Sequence, residues 1–133
     1  MASQTKEDYL KALYSLSLKG EGVKTTDLAI EMGVSTPTIS DMVKKLDARG
    51  WLNYERYKPL KLTKEGMLYA SQIIRRHRLS EMFLTEVMGF GWEEVHDIAE
   101  EIEHLSSVKY FNRMDELLGF PCEDPHGSPI PDE

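Results

Sequence analysis

Three of the four histidines fall between residues 77 and 104, each one helical turn from a glutamate: His77 before Glu81, His96 before Glu100, and Glu100 before His104. Residues four apart share a helix face, so each pair presents an imidazole beside a carboxylate. Residues 79–108 hold eight Asp or Glu and no Lys or Arg. A solvated helix normally intersperses cations among its acids, and without them the carboxylates repel one another. A divalent cation relieves that repulsion, and imidazole plus carboxylate is an ordinary ligand set for one. The competing reading is an amphipathic helix: Val95, Ile98, Ile102 and Leu105 form an apolar stripe, with His96, Glu100, Glu103 and His104 on a solvated opposite side. The missing basic partners favour the metal. Asp97 and Glu101 are expected to be solvated.

A second chemistry uses the same residues. Glu93–His96 and Glu101–His104 are Glu-x-x-His motifs, which carboxylate-bridged metalloenzymes take from two facing helices. Here both lie on one helix, eight residues apart. No phosphate loop, GxGxxG, HExxH or nucleophile elbow occurs, so a metalloenzyme is the weaker alternative and no catalytic residue is expected.

The elements that must position these residues divide by charge. Net charge is −7, but residues 1–78 carry 14 Lys and Arg against 9 acids, while residues 79–133 carry 2 against 14. The basic half suits a phosphate backbone and the acidic half a cation. In the basic half, Tyr9, Leu10, Leu13 and Leu16 mark one face of a first helix over residues 5–18. A second helix runs from about Asp27 to Met32, with Thr26 or Thr25 as N-cap and Leu28, Ala29 and Met32 inward. Gly33 turns the chain into a third helix, capped by Ser35, with Pro37 in its first turn and Ile39, Met42, Val43 and Leu46 buried. Gly50 ends it, and a hairpin is expected from Trp51 to Leu62 around Lys58-Pro59.

Three helices followed by a basic hairpin predict a winged helix-turn-helix. The third helix would enter the major groove with Ser35, Thr36, Pro37, Thr38, Ser40 and Asp41, small polar residues suited to base edges. Lys44, Lys45, Arg56, Lys58 and Lys61 would meet phosphates, which fix position rather than sequence. A winged helix that docks protein instead is the alternative.

Thr63 and Glu65 open a long helix to about Val87 or Met88. Helices are expected from Trp92 to Ser106 and from Val108 to Leu118, then an irregular tail anchored by Phe120 and Ile130. The fold class is mainly α, with a winged helix-turn-helix domain over 1–72 and a helical metal-binding and dimerisation domain over 73–133. Met82, Phe83, Val87, Met88, Tyr110, Phe111, Met114 and Leu117 are the expected dimer surface. One cysteine, no signal-peptide stretch at the N-terminus and no apolar run of membrane-spanning length point to a reducing cytoplasm, with no membrane partner.

A winged helix followed by "RRHRLSE" and "VHDIAEEIEHLSS" resembles the diphtheria toxin repressor family of metal-dependent regulators, from about Asp8 to "PHGSPIP". The resemblance implies a homodimer that binds double-stranded operator DNA when loaded with Mn(II) or Fe(II) and represses metal-uptake genes. It assigns Asp8, Glu100, Glu103 and His104 as metal ligands, with His77 beside them as in manganese regulators. In iron-type members the matching histidine joins an ancillary site, here His77, Glu81 and His96. Lys11 replaces a glutamate of the manganese type, a departure from a coupled two-metal centre. The resemblance is to a short form without the SH3-like domain. Hard ligands at Asp8 and Glu100, with no sulfur, favour Mn(II), then Fe(II); Zn(II) and Co(II) are expected as non-physiological substitutes. Cys122 and His126 are read as loop residues in preference to a soft metal site.

Overall fold

The computed structural model describes residues 3–133, so the first two residues of the expected DNA-binding domain lie outside the described residues. The chain forms two compact units, one ending at Ser71 and one spanning Gln72–Glu133. The first holds α1 (Gln4–Ser17), α2 (Thr25–Met32), α3 (Thr36–Ala48), β1 (Leu52–Asn53) and β2 (Lys61–Leu62). The division falls inside α4 (Lys64–Glu86). The second unit adds α5 (Val95–Ile102) and α6 (Val108–Leu117).

In the first unit the apolar spacing dictates the core. Leu10 and Leu13 of α1, Leu28 of α2, Ile39, Val43 and Leu46 of α3, and Leu52 and Leu60 of the wing are buried together. Each such side chain contributes roughly 1.5–3 kcal/mol through apolar area removed from water. Gly33 closes α2 in the left-handed region at φ 66, with its N–H on Ile30 O at 3.2 Å and that of Val34 on Ala29 O at 3.1 Å. That paired arrangement satisfies the last carbonyls of α2 and sets the turn into α3.

Two caps differ from expectation. The N-cap of α2 is Lys24, not Thr25 or Thr26, and it makes no side-chain cap bond. Val23 exchanges two 2.8 Å backbone bonds with Leu60, which holds the chain extended into Lys24 and lets the helix begin at Thr25. Ser35 does occupy the N-cap of α3, but its hydroxyl pairs with Thr38 Oγ1 at 3.0 Å rather than with a backbone N–H. The wing pairs over a shorter span than Trp51–Leu62. Its ladder is Leu52 opposite Leu62 and Asn53 opposite Lys61, with a further bridge from Val23 to Leu60.

Thr63 joins the wing to α4: its hydroxyl donates to Gly50 O at 2.7 Å and accepts from Gly66 N at 3.0 Å. A Cβ on Gly66 would lie 1.9 Å from Trp51 O, a backbone atom. Gly66→Ala is therefore expected to push α4 away from the wing and cost about 1–3 kcal/mol as overpacking, measurable as a lower urea midpoint with unchanged m.

In the second unit Leu79, Phe111 and Met114 form the buried cluster, with Phe83, Ile102, Leu118 and Ile130 packed against it. Phe111 and Met114, expected on a dimer surface, are thus core residues. Val87, Met88, Tyr110 and Leu117 remain exposed. α5 is shorter than the expected Trp92–Ser106. Glu94 folds back on Gly91 N at 2.9 Å before it starts, and Ser107 caps α6 by accepting from Tyr110 N at 3.1 Å.

The tail is not loose. Asp124 Oδ1 accepts from His126 N at 2.9 Å and Ser128 N at 2.8 Å, and Ile130 N bonds Cys122 O at 2.8 Å. Arg78 donates to Pro129 O, and Gln72 Nε2 to Asp132 O at 2.8 Å, lashing this loop to α4. Ile130 anchors the tail as expected. Phe120 does not: it is 67% exposed, because left-handed backbone at Gly119 and Phe120 turns its ring outward. Among the described residues no helix is long and apolar enough to cross a membrane.

Candidate metal centre

The centre is built from α4, α5 and the tail loop, all within the second unit. His77 and Glu81, one turn apart on α4, are both turned inward, with side chains 12% and 2% exposed. His77 lies between two carboxylates: its Nδ1 is 2.6 Å from Glu103 Oε1, and its Nε2 is 3.5 Å from Glu81 Oε1. Burial disfavours the imidazolium, but the bonds to Glu103 and Glu81 outweigh it and raise the His77 pKa to about 9. Burial pushes the Glu81 carboxyl up, while His77, a bond with Asp124 and the nearby His126 pull it down; the balance lies below the ordinary carboxylate value.

His96 stands above this pair, its ring 4.9 Å from that of His77. Its Nδ1 is 3.8 Å from Glu81 Oε2 and its Nε2 3.0 Å from Glu100 Oε1. From the tail, His126 Nδ1 comes within 3.6 Å of Glu81 Oε2 and 3.8 Å of Asp124 Oδ2. The His126 Nε2 lies 3.0 Å from Trp92 O. A carbonyl can only accept, so Nε2 donates to Trp92 O, and Nδ1 faces the two carboxylates. A carbonyl bond behind a ring whose other nitrogen faces carboxylates is the usual setting of a metal-binding histidine.

Glu81 is where these contacts converge. His77, Glu81 and His96 offer ligand atoms within 4.8 Å of one another, and so do Glu81, Asp124 and His126. Glu81 Oε2 is buried and accepts no hydrogen bond among the described residues. A buried carboxylate oxygen without a hydrogen bond is costly, and a cation among these nitrogen and oxygen donors relieves the cost. The donor set therefore fits a divalent ion.

The predicted residues fall into different places. His77, Glu81 and His96 come together as expected. Glu103 and Glu100 part company: Val95, Ala99 and Glu103 form the buried line of α5, while Glu100 is about half exposed and meets His96 on the outside. The wheel that put Glu103 on the polar side, and Leu105 on the apolar one, is corrected on both points, since Leu105 is 49% exposed. Just beyond α5, Glu103 Oε2 is 3.6 Å from His104 Nε2. Asp8 and Lys11 are half-buried on α1 in the first unit. Asp97 and Glu101 are exposed, as expected.

Asp124 was not among the expected site residues, and His126 was expected as a loop residue in preference to a soft metal site with Cys122; the structure brings both beside Glu81. His126 joins a candidate ligand cluster, whereas Cys122 is exposed and joins none among the described residues. The available signal was the Asp-Pro-His-Gly turn; nothing local indicated that it closes on Glu81.

On the first unit Ser35, Thr36, Pro37, Thr38, Asp41, Lys44 and Lys45 are exposed along α3, with Ser40 half-buried. Arg56 and Lys58 are exposed on the wing, where Lys58 Nζ pairs with Glu55 at 2.7 Å.

Fold and site together define a winged helix-turn-helix protein with a second, helical unit that carries a histidine–carboxylate cluster. Two profiles cover it: "Iron dependent repressor, N-terminal DNA binding domain" matches residues 1–60, and "Iron dependent repressor, metal binding and dimerisation domain" matches residues 63–132. The chain belongs to this family of metal-dependent repressors, as the resemblance to the diphtheria toxin repressors implied. It is 35% identical over 127 residues to the iron-dependent repressor IdeR of Mycobacterium tuberculosis, covering 96% of this chain and 55% of that one. It is 32% identical to the HTH-type transcriptional regulator MntR of Bacillus pumilus, covering 90% and 83%. A solved manganese-dependent transcriptional repressor in complex with manganese superposes with a TM-score of 0.84 at 40% identity, covering 96% and 58%. The chain thus spans little more than half of IdeR and of that solved repressor.

Proposed function

We propose that this chain is a Mn(II)-activated transcriptional repressor that binds operator DNA as a homodimer. The observation that carries the metal part is the convergence of His77, His96, Asp124 and His126 on Glu81, whose inner oxygen is buried without a hydrogen bond. The donors are carboxylate oxygens and imidazole nitrogens, with no thiolate, which suits Mn(II). The solved manganese-dependent relative agrees with this choice. Fe(II) is the second reading, because IdeR, of similar identity, is iron-dependent.

A bound divalent cation supplies the positive charge that the clustered carboxylates lack. Glu81 and His77 would hold it from α4 and His96 from α5, with Asp124 and His126 closing from the tail. Glu100, Glu103 and His104 are proposed as ligands of the activating ion, with Asp8 assigned on sequence resemblance alone and tested by Asp8→Ala. The proposed DNA surface is the exposed start of α3, Ser35 to Asp41, with Lys44, Lys45, Arg56 and Lys58 on phosphates. The proposed dimer surface is the exposed apolar set Val87, Met88, Tyr110 and Leu117. Metal and DNA would favour the same state, so each tightens the other's binding by the same factor.

The test is a gel shift on duplexes enriched from a random pool by the full chain, with Mn(II), Fe(II) or EDTA. Retardation with Mn(II), abolished by EDTA and absent in Glu103→Gln, is the expected result. Equal retardation in EDTA overturns metal gating, and a stronger effect of Fe(II) reverses the choice of metal.

A further inference from the structure

We propose that Trp92 is a positioning residue of the metal centre, holding the His126 ring against Glu81 so that the tail loop shares in binding the cation. The proposal rests on the metal-binding reading above and deepens it. The Asp-Pro-His-Gly turn fixes the His126 backbone: Asp124 Oδ1 accepts from His126 N at 2.9 Å and from Ser128 N at 2.8 Å. The imidazole is held differently. Its Nδ1 stands 3.6 Å from Glu81 Oε2 and 3.8 Å from Asp124 Oδ2, both longer than a hydrogen bond. Neither carboxylate therefore fixes the ring in the metal-free chain.

Trp92 supplies the restraint. Its carbonyl accepts from His126 Nε2 at 3.0 Å, and its indole meets the imidazole edge to face, with ring centres 5.3 Å apart and planes at 75°. Aromatic rings favour that arrangement over a face-to-face sandwich. One residue thus restrains the ring twice. The carbonyl sets which nitrogen is left to face the carboxylates, and the indole sets the tilt of the ring. The indole is not a core side chain, since Trp92 is 59% exposed. Burial gains it little, and packing on His126 is the contact that orders it.

Trp92 can hold another residue because its own backbone is held. Phe90 N bonds Leu84 O at 3.1 Å, Gly91 N bonds Glu94 Oε2 at 2.9 Å, and Glu94 N bonds Gly91 O at 2.9 Å. These bonds bracket Trp92 in a turn between α4, which carries His77 and Glu81, and α5, which carries His96. The segment that joins two ligand-bearing helices therefore also grips the tail. A ring set in place before the ion arrives gives up less freedom on coordination, and the saving appears as affinity.

In the test, Mn(II) is titrated calorimetrically into the full chain, and the event at this cluster is identified as the one that Glu81→Gln removes. Trp92→Ala is expected to weaken that event about tenfold, the lower end of what outer partners of a metal ligand contribute, because the backbone carbonyl stays. Trp92→Phe, which keeps a ring edge on the imidazole, is expected to recover most of the loss. His126→Ala should weaken the event at least as much as Trp92→Ala, and combining the two should cost nothing beyond His126→Ala alone. A tryptophan that only supported the fold would add its own cost to that of His126→Ala. Additive losses overturn the proposal alone, as does Trp92→Ala binding like the wild type or Trp92→Phe binding no better than Trp92→Ala. A wild type with no event that Glu81→Gln removes overturns the metal reading of this cluster and the role of Trp92 with it.

Discussion

Glu81→Gln is expected to weaken Mn(II) binding at the α4–α5–tail cluster by roughly 100-fold or more, seen in calorimetric titration of the full chain as loss of one binding event. Outer-sphere partners of a metal ligand are alone worth about 10–100-fold in affinity, so a carboxylate common to both ligand triads should cost at least the upper end. Gln keeps the volume and the hydrogen-bonding capacity of the side chain but removes the charge that His77, His96 and His126 all face. Glu100→Gln, at a proposed ligand of the activating ion, is the contrast, read at this same binding event. Its carboxylate is about half exposed and meets only one histidine of the cluster, His96. It should cost about tenfold at this cluster, an outer-sphere value. Equal losses from the two substitutions would show that Glu81 is not the shared ligand.

The contrast between these two glutamates marks how far the sequence could be read. Pairs four apart on one helix, such as His77–Glu81 and His96–Glu100, are local, and their faces follow from helical spacing. The core of the first unit was legible for the same reason: Leu10, Leu13, Ile39, Val43 and Leu46 repeat at helical intervals. Glu103 was not legible, because a carboxylate at the end of a buried line is indistinguishable by type from a solvated one. Its bond to His77, from another helix, is not visible in the local sequence. The end of α5 was misplaced for a related reason. The apolar pattern runs on to Leu105, but Ser107 takes up the first free N–H groups of α6 and stops the pattern from continuing as one helix. Asp124 and His126 reach Glu81 through a loop held by Arg78 and Gln72, contacts too distant along the chain for any periodicity to reveal.

Proton and metal should compete for His77, so between pH 6.5 and 9 the metal-free chain should lose stability while the metal-loaded chain stays level. Its pKa is about 9 in the folded chain against an ordinary 6.5. A raised folded value means the metal-free chain has the full contribution of this imidazolium below pH 6.5 and loses it as pH rises through 9. The amount is on the order of 3 kcal/mol, an upper figure for a group that is almost buried. Glu81 acts in the other direction: its lowered value contributes above the ordinary carboxylate range and is lost as pH falls below it. Metal-free protein should therefore be most stable, in urea titrations, between about pH 5 and 6.5, and should weaken steadily toward pH 9. His77→Gln should flatten the alkaline slope and leave the acid one. A cation on His77 must displace the proton, so its affinity rises about tenfold per pH unit up to 9, and binding below that pH releases a proton to the buffer. With saturating Mn(II), the stabilisation added by binding grows with pH over the same interval in which the metal-free chain is weakening. Parallel pH profiles for the two forms would place His77 outside the ion's ligand set.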